Sequence, residues 1–363
     1  MSGTAVHVVL PGDVDDAAVP SGGNIYDRRV CLGLAALGRE VREIPLPGAW
    51  PRPEPAGRAE LARALAGVPD GGVVLLDGLV ACGVPEAVVP HAGRLTLAVL
   101  VHLPLADETG LAPAVAAELD AAERETLRVA AAVVATSRWA ARRIAEHHGL
   151  RPDRVHAVPP GTDPAPLAPG TDGASHLLCV AAVTPRKGHD LLVRALGTLA
   201  GLPWTCEFAG SLDRDPAYVA WLRDLVAEHG LTERITLTGP HTGPGLDARY
   251  AEADLVVLPS RRETYGMVVT EALARGVPVL TTTADALPST LGLASGGGVP
   301  GMLVPPEDAM ALAVAVRRWL GEPDLRHRIR KSAYERRDML SGWESTSRLL
   351  ADLLDRLGRR PSL

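Results

Sequence analysis

The sequence is nearly without lysine: Lys187 and Lys331 are the only ones, and arginine carries the rest of the basic charge. Against that background a lysine inside a motif is more informative than usual. Cysteine is also sparse. Cys31, Cys82, Cys179 and Cys206 are scattered through apolar stretches with no C-x-x-C pair. That excludes a thiolate metal knuckle or a dithiol redox site and suits buried small hydrophobes in a reducing cytosol. No apolar run approaches the roughly 18 residues that a membrane-spanning helix needs. Basic excess is missing too: the formal net charge is -6, so there is no electrostatic footprint for nucleic acid and we expect no such partner. Met1–Leu10 lacks a basic segment followed by a long apolar one, and its apolar part runs straight into Pro11 and Gly12. We therefore expect no signal peptide and a cytoplasmic location. No G-x-x-x-x-G-K-[ST] loop occurs, and no G-x-G-x-x-G follows the first strand, which argues against ATPase and dehydrogenase chemistry. The histidines, His147-His148 included, show no zinc-ligand spacing.

What is present is a chain of 363 residues, 47% hydrophobic and 22% charged. That is enough for two ordinary domains with large cores. Short valine- and leucine-rich runs alternate with amphipathic helical patterns. The expected strands are Val6–Leu10, Val73–Leu76, Leu97–His102, Val133–Ala135 and Val155–Val158, then Leu177–Ala181, Thr205–Ala209, Ile235–Thr238, Leu255–Leu258 and Val277–Leu280. Continuous apolar strands alternating with helices predict parallel sheets covered on both faces. Pro159-Pro160-Gly161 and the proline-rich stretch through Gly170 break the pattern, which places a linker at about residues 161–174. The fold class is then α/β with two doubly wound domains, whose ligands bind at the carboxyl ends of the strands. If the two face each other, the chemistry belongs in the cleft between them.

The segment Leu258-Pro259-Ser260-Arg261-Arg262-Glu263-Thr264-Tyr265-Gly266-Met267-Val268-Val269-Thr270-Glu271-Ala272 carries the strongest signal. A strand ends at Leu258, a loop carries Glu263, and a helix begins near Gly266 and stops at Gly276. The amides of Gly266, Met267 and Val268 would point out of the helix N-terminus and suit an anion. Glu263 and Glu271, the latter about two helical turns further on, can bracket a ligand with phosphate in its middle and hydroxyls at both ends. Lys187, at the turn Thr184-Pro185-Arg186-Lys187-Gly188 after a strand, can reach a diphosphate and offset leaving-group charge. Gly22 and Gly23, in Pro20-Ser21-Gly22-Gly23-Asn24, let backbone approach a phosphate or sugar closely. His102 closes a strand and can bond a sugar hydroxyl or a developing charge. Asp77, at another strand end, either binds acceptor or caps the next helix. The strings Asp13-Val14-Asp15 and Asp213-Arg214-Asp215 match D-x-D but are short enough to arise by chance.

On P-S-x-x-E-x-Y-G-x-x-x-x-E-A from Pro259 to Ala272 and on Thr184–Asp190, the chain resembles the group 1 glycosyltransferases of family four over nearly its whole length. The resemblance implies the GT-B fold: residues 1–165 as an acceptor-side Rossmann-like domain, 166–340 as the nucleotide-sugar domain, and a C-terminal helix in 341–363 packing back on the first. It implies a donor site of Gly22, Gly23, Arg186, Lys187, Glu263, Tyr265, Gly266, Met267, Val268 and Glu271. It also implies catalytic roles for His102, Lys187 and Glu263, and acceptor contacts at Asp77 and Glu108. Many family members have arginine where this chain has Ala182. The expected reaction is retaining transfer of a hexosyl unit from a nucleotide diphosphate sugar, a co-substrate, to an acceptor hydroxyl. No cofactor and no metal are expected. The acceptor is a small molecule, a lipid or a glycan, and neither it nor the oligomeric state is legible. The alternatives are a GT-B epimerase or hydrolase acting on the nucleotide sugar, or a non-catalytic nucleotide-sugar-binding protein. The basic run Arg326–Lys331 reads as a solvated helix face, with peripheral contact to an anionic membrane surface as the second reading.

Overall fold

Runs of valine and leucine that are apolar on both faces are satisfied only inside a sheet covered on both sides, and helix crossovers make such a sheet parallel. The protein follows this in a computed structural model that describes residues 5–16, 21–108 and 110–359. Pro20 of the glycine motif lies outside the described residues. Two compact units form, one from residues 5–16, 21–161 and 342–359, the other from 162–341. Among the described residues, 158–175 contain no helix or strand.

The first unit holds β1 (Val6–Pro11), β2 (Val41–Leu46), β3 (Val73–Asp77), β4 (Thr96–Val101), β5 (Ala132–Ala135) and β6 (Val155–Ala157). All are parallel, in the order β2-β1-β3-β4-β5-β6. Strand order reverses between β1 and β3, so the loops after these two strands diverge and leave a crevice between them. The second unit holds β7 (His176–Val180), β8 (Thr205–Ala209), β9 (Ile235–Gly239), β10 (Leu255–Leu258), β11 (Val279–Thr282) and β12 (Gly301–Val304). These are parallel too, in the order β12-β11-β10-β7-β8-β9. That is the dinucleotide-fold order, with its switch point between β7 and β10.

The expected strands are all present, with β11 beginning two residues later than expected. β2 and β12 were not foreseen. Each lies at a sheet edge, where one side is unpaired and no continuous apolar run is needed. β2 even contains Pro45, which an edge strand tolerates.

The C-terminal helix Trp343–Gly358 packs into the first unit. It buries Leu350, Leu353, Leu354 and Leu357 in one cluster with Val30, Cys31 and Leu34 of the helix Gly22–Ala36. Leu349, on the same helix, is 49% exposed. The helices touch at Gly33, where an added Cβ would sit 1.8 Å from Ser347 Oγ.

The basic run also differs from a uniformly solvated face. In the helix Pro323–Arg337, Arg326 donates to the carbonyls of Trp319 and Leu320, and Arg330 to that of Gly173. Arg336 binds the Leu291 carbonyl and Arg337 that of Ala165. These side chains tie the helix to its own unit, while His327, Arg328 and Lys331 are exposed. All four cysteines are free and buried.

Because Leu350 is 0% exposed, Leu350→Ala should lower stability by about 2–5 kcal/mol through lost burial and a residual cavity. Urea denaturation checks this.

Candidate active site

In the second unit, the loops after β7 and β10 flank the switch point. They approach so closely that a Cβ on Gly188 would lie 2.2 Å from the Pro259 carbonyl oxygen, and Gly188 has φ 72°. Only glycine fits there on both counts. The Arg261 amide donates to the Arg186 carbonyl at 2.8 Å, so the loops are also joined through backbone. Arg261 then grips Asp190 with both guanidinium nitrogens at 2.8 Å, and Tyr218 donates to the same carboxylate.

This junction brings Lys187 Nζ to 2.6 Å from Glu263 Oε2, with Arg186 at 3.9 Å and the Ser260 hydroxyl donating at 3.4 Å. Burial works against the Glu263 charge, but Lys187 and Arg186 outweigh it and hold the carboxyl below its usual range. Asp285, in the left-handed region at φ 51°, accepts from the Glu263 amide and from Arg262 Nε, both at 2.9 Å. The Ala286 amide returns a bond to the Glu263 carbonyl.

Three residues later Gly266, at φ 86°, starts the helix Met267–Ala274. Its first bonded amide is that of Val269, to the Gly266 carbonyl. The amides of Gly266, Met267 and Val268 have no acceptor among the described residues. They form the anion-attracting end of the helix. Glu271 is nearer this end than the expected two turns, because residues 263–266 are not helical. It accepts from the Tyr250 hydroxyl at 2.8 Å. Burial raises its carboxyl above the usual range, with Asp163 and Asp247 adding and Tyr250 and Arg275 opposing. The Tyr265 carbonyl is held by Thr290 Oγ1 at 2.6 Å. Ala182 follows β7 and offers no charge to the site.

In the first unit, Ser21 caps the helix that begins at Gly22, accepting from the Asn24 amide. Gly23 lies against His102: a Cβ there would meet the ring at 3.1 Å. His102, just after β4, sends Nε2 to Asp27 Oδ1 at 2.8 Å and lies 3.6 Å from Asp77 Oδ2. Asp77 Oδ1 caps the helix Gly78–Ala81 through the Leu79 and Val80 amides, one of the two readings for this strand-end acid, while its Oδ2 faces His102. Glu108 is exposed beyond the short turn Leu105–Asp107.

Both D-x-D strings have structural occupations. Asp215 caps the helix Pro216–Glu228, and Asp15 pairs with Arg28 at 2.6 Å. Among the described residues, two groups place three metal-capable atoms within 4.8 Å of one another: Asp27, Asp77 and His102, and Asp120, His147 and His148. The second was invisible in sequence because Asp120 is distant from the histidine pair. Its members are engaged with other side chains, Asp120 with Arg124 and His147, and His148 with Glu123.

A family model described as glycosyl transferases group 1 matches residues 171–336, and one described as glycosyltransferase family 4 matches residues 2–166. The chain belongs to the group 1, family 4 glycosyltransferases. A D-inositol 3-phosphate glycosyltransferase of Catenulispora acidiphila is 31% identical over 64% of this chain and 59% of its own length. One from Thermobispora bispora is 30% identical over 75% of this chain and 65% of its own. The chain thus spans less than two thirds of these relatives. Sucrose-phosphate synthase of Thermosynechococcus elongatus superposes with a TM-score of 0.78 at 22% identity, covering 98% and 99% of the two chains. HepE of Anabaena, in complex with UDP-glucose, gives 0.74 at 18% identity over 98% and 100%. The fold is therefore GT-B, with two Rossmann-like domains.

Sequence reasoning missed Asp27, Asp285 and the double role of Asp77. Asp27 lies three residues beyond the quoted glycine segment, and its only signal was an acidic residue on the face that Tyr26 and Val30 bury. Asp285 left none.

Lys187→Met should destabilise the protein by about 3 kcal/mol at pH 7, at the low end for a buried pair that loses one partner, since Arg186 stays. The sign with pH follows from the lowered Glu263 value. Wild-type stability from this pair is present above the ordinary glutamate range, near 4.5, and is lost as pH falls through the folded value. The variant's deficit should therefore narrow toward pH 4, as thermal melts across pH would show.

Proposed function

We propose that the protein transfers a hexosyl group, with retention of anomeric configuration, from a nucleotide diphosphate sugar to an acceptor hydroxyl. The observation that carries this is the Lys187–Glu263 pair beside the start of the helix Met267–Ala274, at the switch point of the second sheet. A cation, helix-end amides and a fixed carboxylate are what a diphosphate flanked by hydroxyl-bearing groups requires. The UDP-glucose complex of HepE supports a donor of this class.

In this reading the helix-end amides and Arg186 hold the diphosphate. A lysine ammonium has three N–H donors, so Lys187 can hold Glu263 and a phosphate oxygen together. Its charge offsets what builds on the leaving oxygen as the bond to the anomeric carbon breaks. Glu263 orients donor-sugar hydroxyls. Glu271, one oxygen fixed by Tyr250, presents its carboxylate to the ribose hydroxyls. His102 acts on the sugar. The acceptor oxygen bonds the anomeric carbon from the face the diphosphate leaves, and the acceptor's proton passes to the departing phosphate oxygen. No protein nucleophile, metal or cofactor enters this scheme. The acceptor is a small molecule, a lipid or a glycan.

Thermal shift against a panel of nucleotide sugars should reveal a stabilising donor, and acceptor screening with that donor should yield a transferred product. Lys187→Ala should then lower kcat by about 10²–10³-fold, the cost of one leaving-group contact. Free sugar or an epimer as the only product, or full turnover by Lys187→Ala, would overturn the reading.

A further inference from the structure

Three ionisable groups from three elements meet inside the first unit. Asp27 lies on the helix Gly22–Ala36, Asp77 ends β3, and His102 follows β4. Asp27 and Asp77 are 2% and 4% exposed. Both turn an oxygen toward one imidazole nitrogen, His102 Nε2, at 2.8 and 3.6 Å. The second oxygen of Asp27, Oδ2, is buried with no hydrogen-bond partner. A neutral imidazole has one N–H, and here it serves the nearer oxygen. Two ionised carboxylates would then remain in a nearly dry pocket.

Among the described residues, the surroundings do not neutralise them. Arg28, next to Asp27, is committed to Asp15 at 2.6 Å and Glu43 at 2.7 Å. The other titratable groups that sense the pair are Tyr26 and the thiols of Cys31 and Cys82, all neutral near pH 7 and all pushed upward first by burial. The Leu79 and Val80 amides serve only Asp77 Oδ1. Like charges this close and this buried cannot both persist, and the smallest remedy is one proton held between them.

We propose that Asp27 and Asp77 share a single proton, and that Asp27 is a positioning residue that locks His102 as its Nε2–H tautomer. The proton sits on one carboxyl and is donated to the other, His102 donates to Asp27 Oδ1, and the cluster carries one negative charge in place of two. Burial drives Asp27 up to about 7, against the lowering effects of Asp77 and Arg28. It also drives Asp77 well above its ordinary range, with the Asp27 charge adding. Burial keeps His102 below its usual value, only partly offset by Asp77. The pair titrates as a unit. Because its folded value is raised, its stabilising contribution is full below the ordinary aspartate range and is lost as pH rises toward about 7. His102 keeps its Nε2–H bond to Asp27 Oδ1 over the same interval, but gains a second negative charge beside it.

The functional consequence rests on the transferase reading, in which His102 serves the donor sugar, whereas the proton itself does not. Nitrogen NMR of the full chain with labelled histidine, recorded without ligand from pH 5 to 9, reads the proton directly. His102→Gln identifies the resonance. Wild-type His102 should stay neutral with hydrogen on Nε2 and show an inflection near pH 7 as the dyad ionises. Asp27→Asn should abolish the inflection while keeping the tautomer, because the amide oxygen still accepts from Nε2–H. Asp77→Asn should also abolish it, and Asp27→Ala should release the tautomer. No wild-type inflection, or the same inflection in Asp27→Asn, overturns the shared proton. An unchanged tautomer in Asp27→Ala overturns the positioning role. Once a donor is known, Asp27→Asn should move the alkaline limb of kcat by a unit or more at constant donor KM. Absence of any nucleotide-sugar response would defeat the transferase reading and leave the NMR result standing.

Discussion

The second unit depends on two loops being forced together at one point. Gly188 allows the turn after β7 to touch the Pro259 carbonyl, and no side chain could be accommodated there. That contact puts a lysine ammonium against a buried glutamate, and each then requires the other. Glu263 remains charged only because Lys187 and Arg186 face it, and Lys187 is held where it can meet an anion because Glu263 anchors it. The arginine–aspartate grip beside the junction, Arg261 on Asp190, fixes the same pair of loops from outside. A charge pair so enclosed adds little to stability in net terms, and its value lies in geometry. It sets a cation and a carboxylate at a fixed separation next to a helix end.

The first unit solves a different electrostatic problem with similar means. Its switch point also gathers polar side chains from neighbouring loops, but here two of the three are acids and no free cation is brought in. The second unit neutralises a buried acid with lysine, whereas the first is left to do it with a proton and an imidazole. The contrast follows from supply: the first unit contains no lysine, and the arginine adjacent to Asp27 is taken by surface acids. The Lys187–Glu263 pair therefore keeps its charges around neutrality, whereas the acid pair of the first unit is poised to change there.

Much was legible in the sequence because it is local. The apolar runs announced ten of the strands, and glycine and proline marked where helices and loops begin and end. The Glu263–Glu271 segment announced a helix start with an acid on either side. Edge strands β2 and β12 escaped because an edge satisfies only half the constraints that produce a continuous apolar run. The helix Pro323–Arg337 looked like a solvated basic face because sequence shows charge but not direction, and several of its arginines fold inward onto carbonyls.

The sequence by itself determined which groups exist and which are neighbours along the chain: two lysines, one of them in a strand-to-helix turn, and an acid four residues before a helix. Hydrophobic period and turn chemistry act over a few residues, so they can be read directly. The tertiary structure alone decided which distant charges meet. Lys187 and Glu263 are 76 residues apart, and Asp27 and His102 are 75. Strand order, set by how twisted parallel strands pack against their crossovers, brings those loop ends together. Burial at the meeting points then sets protonation, which no local pattern encodes.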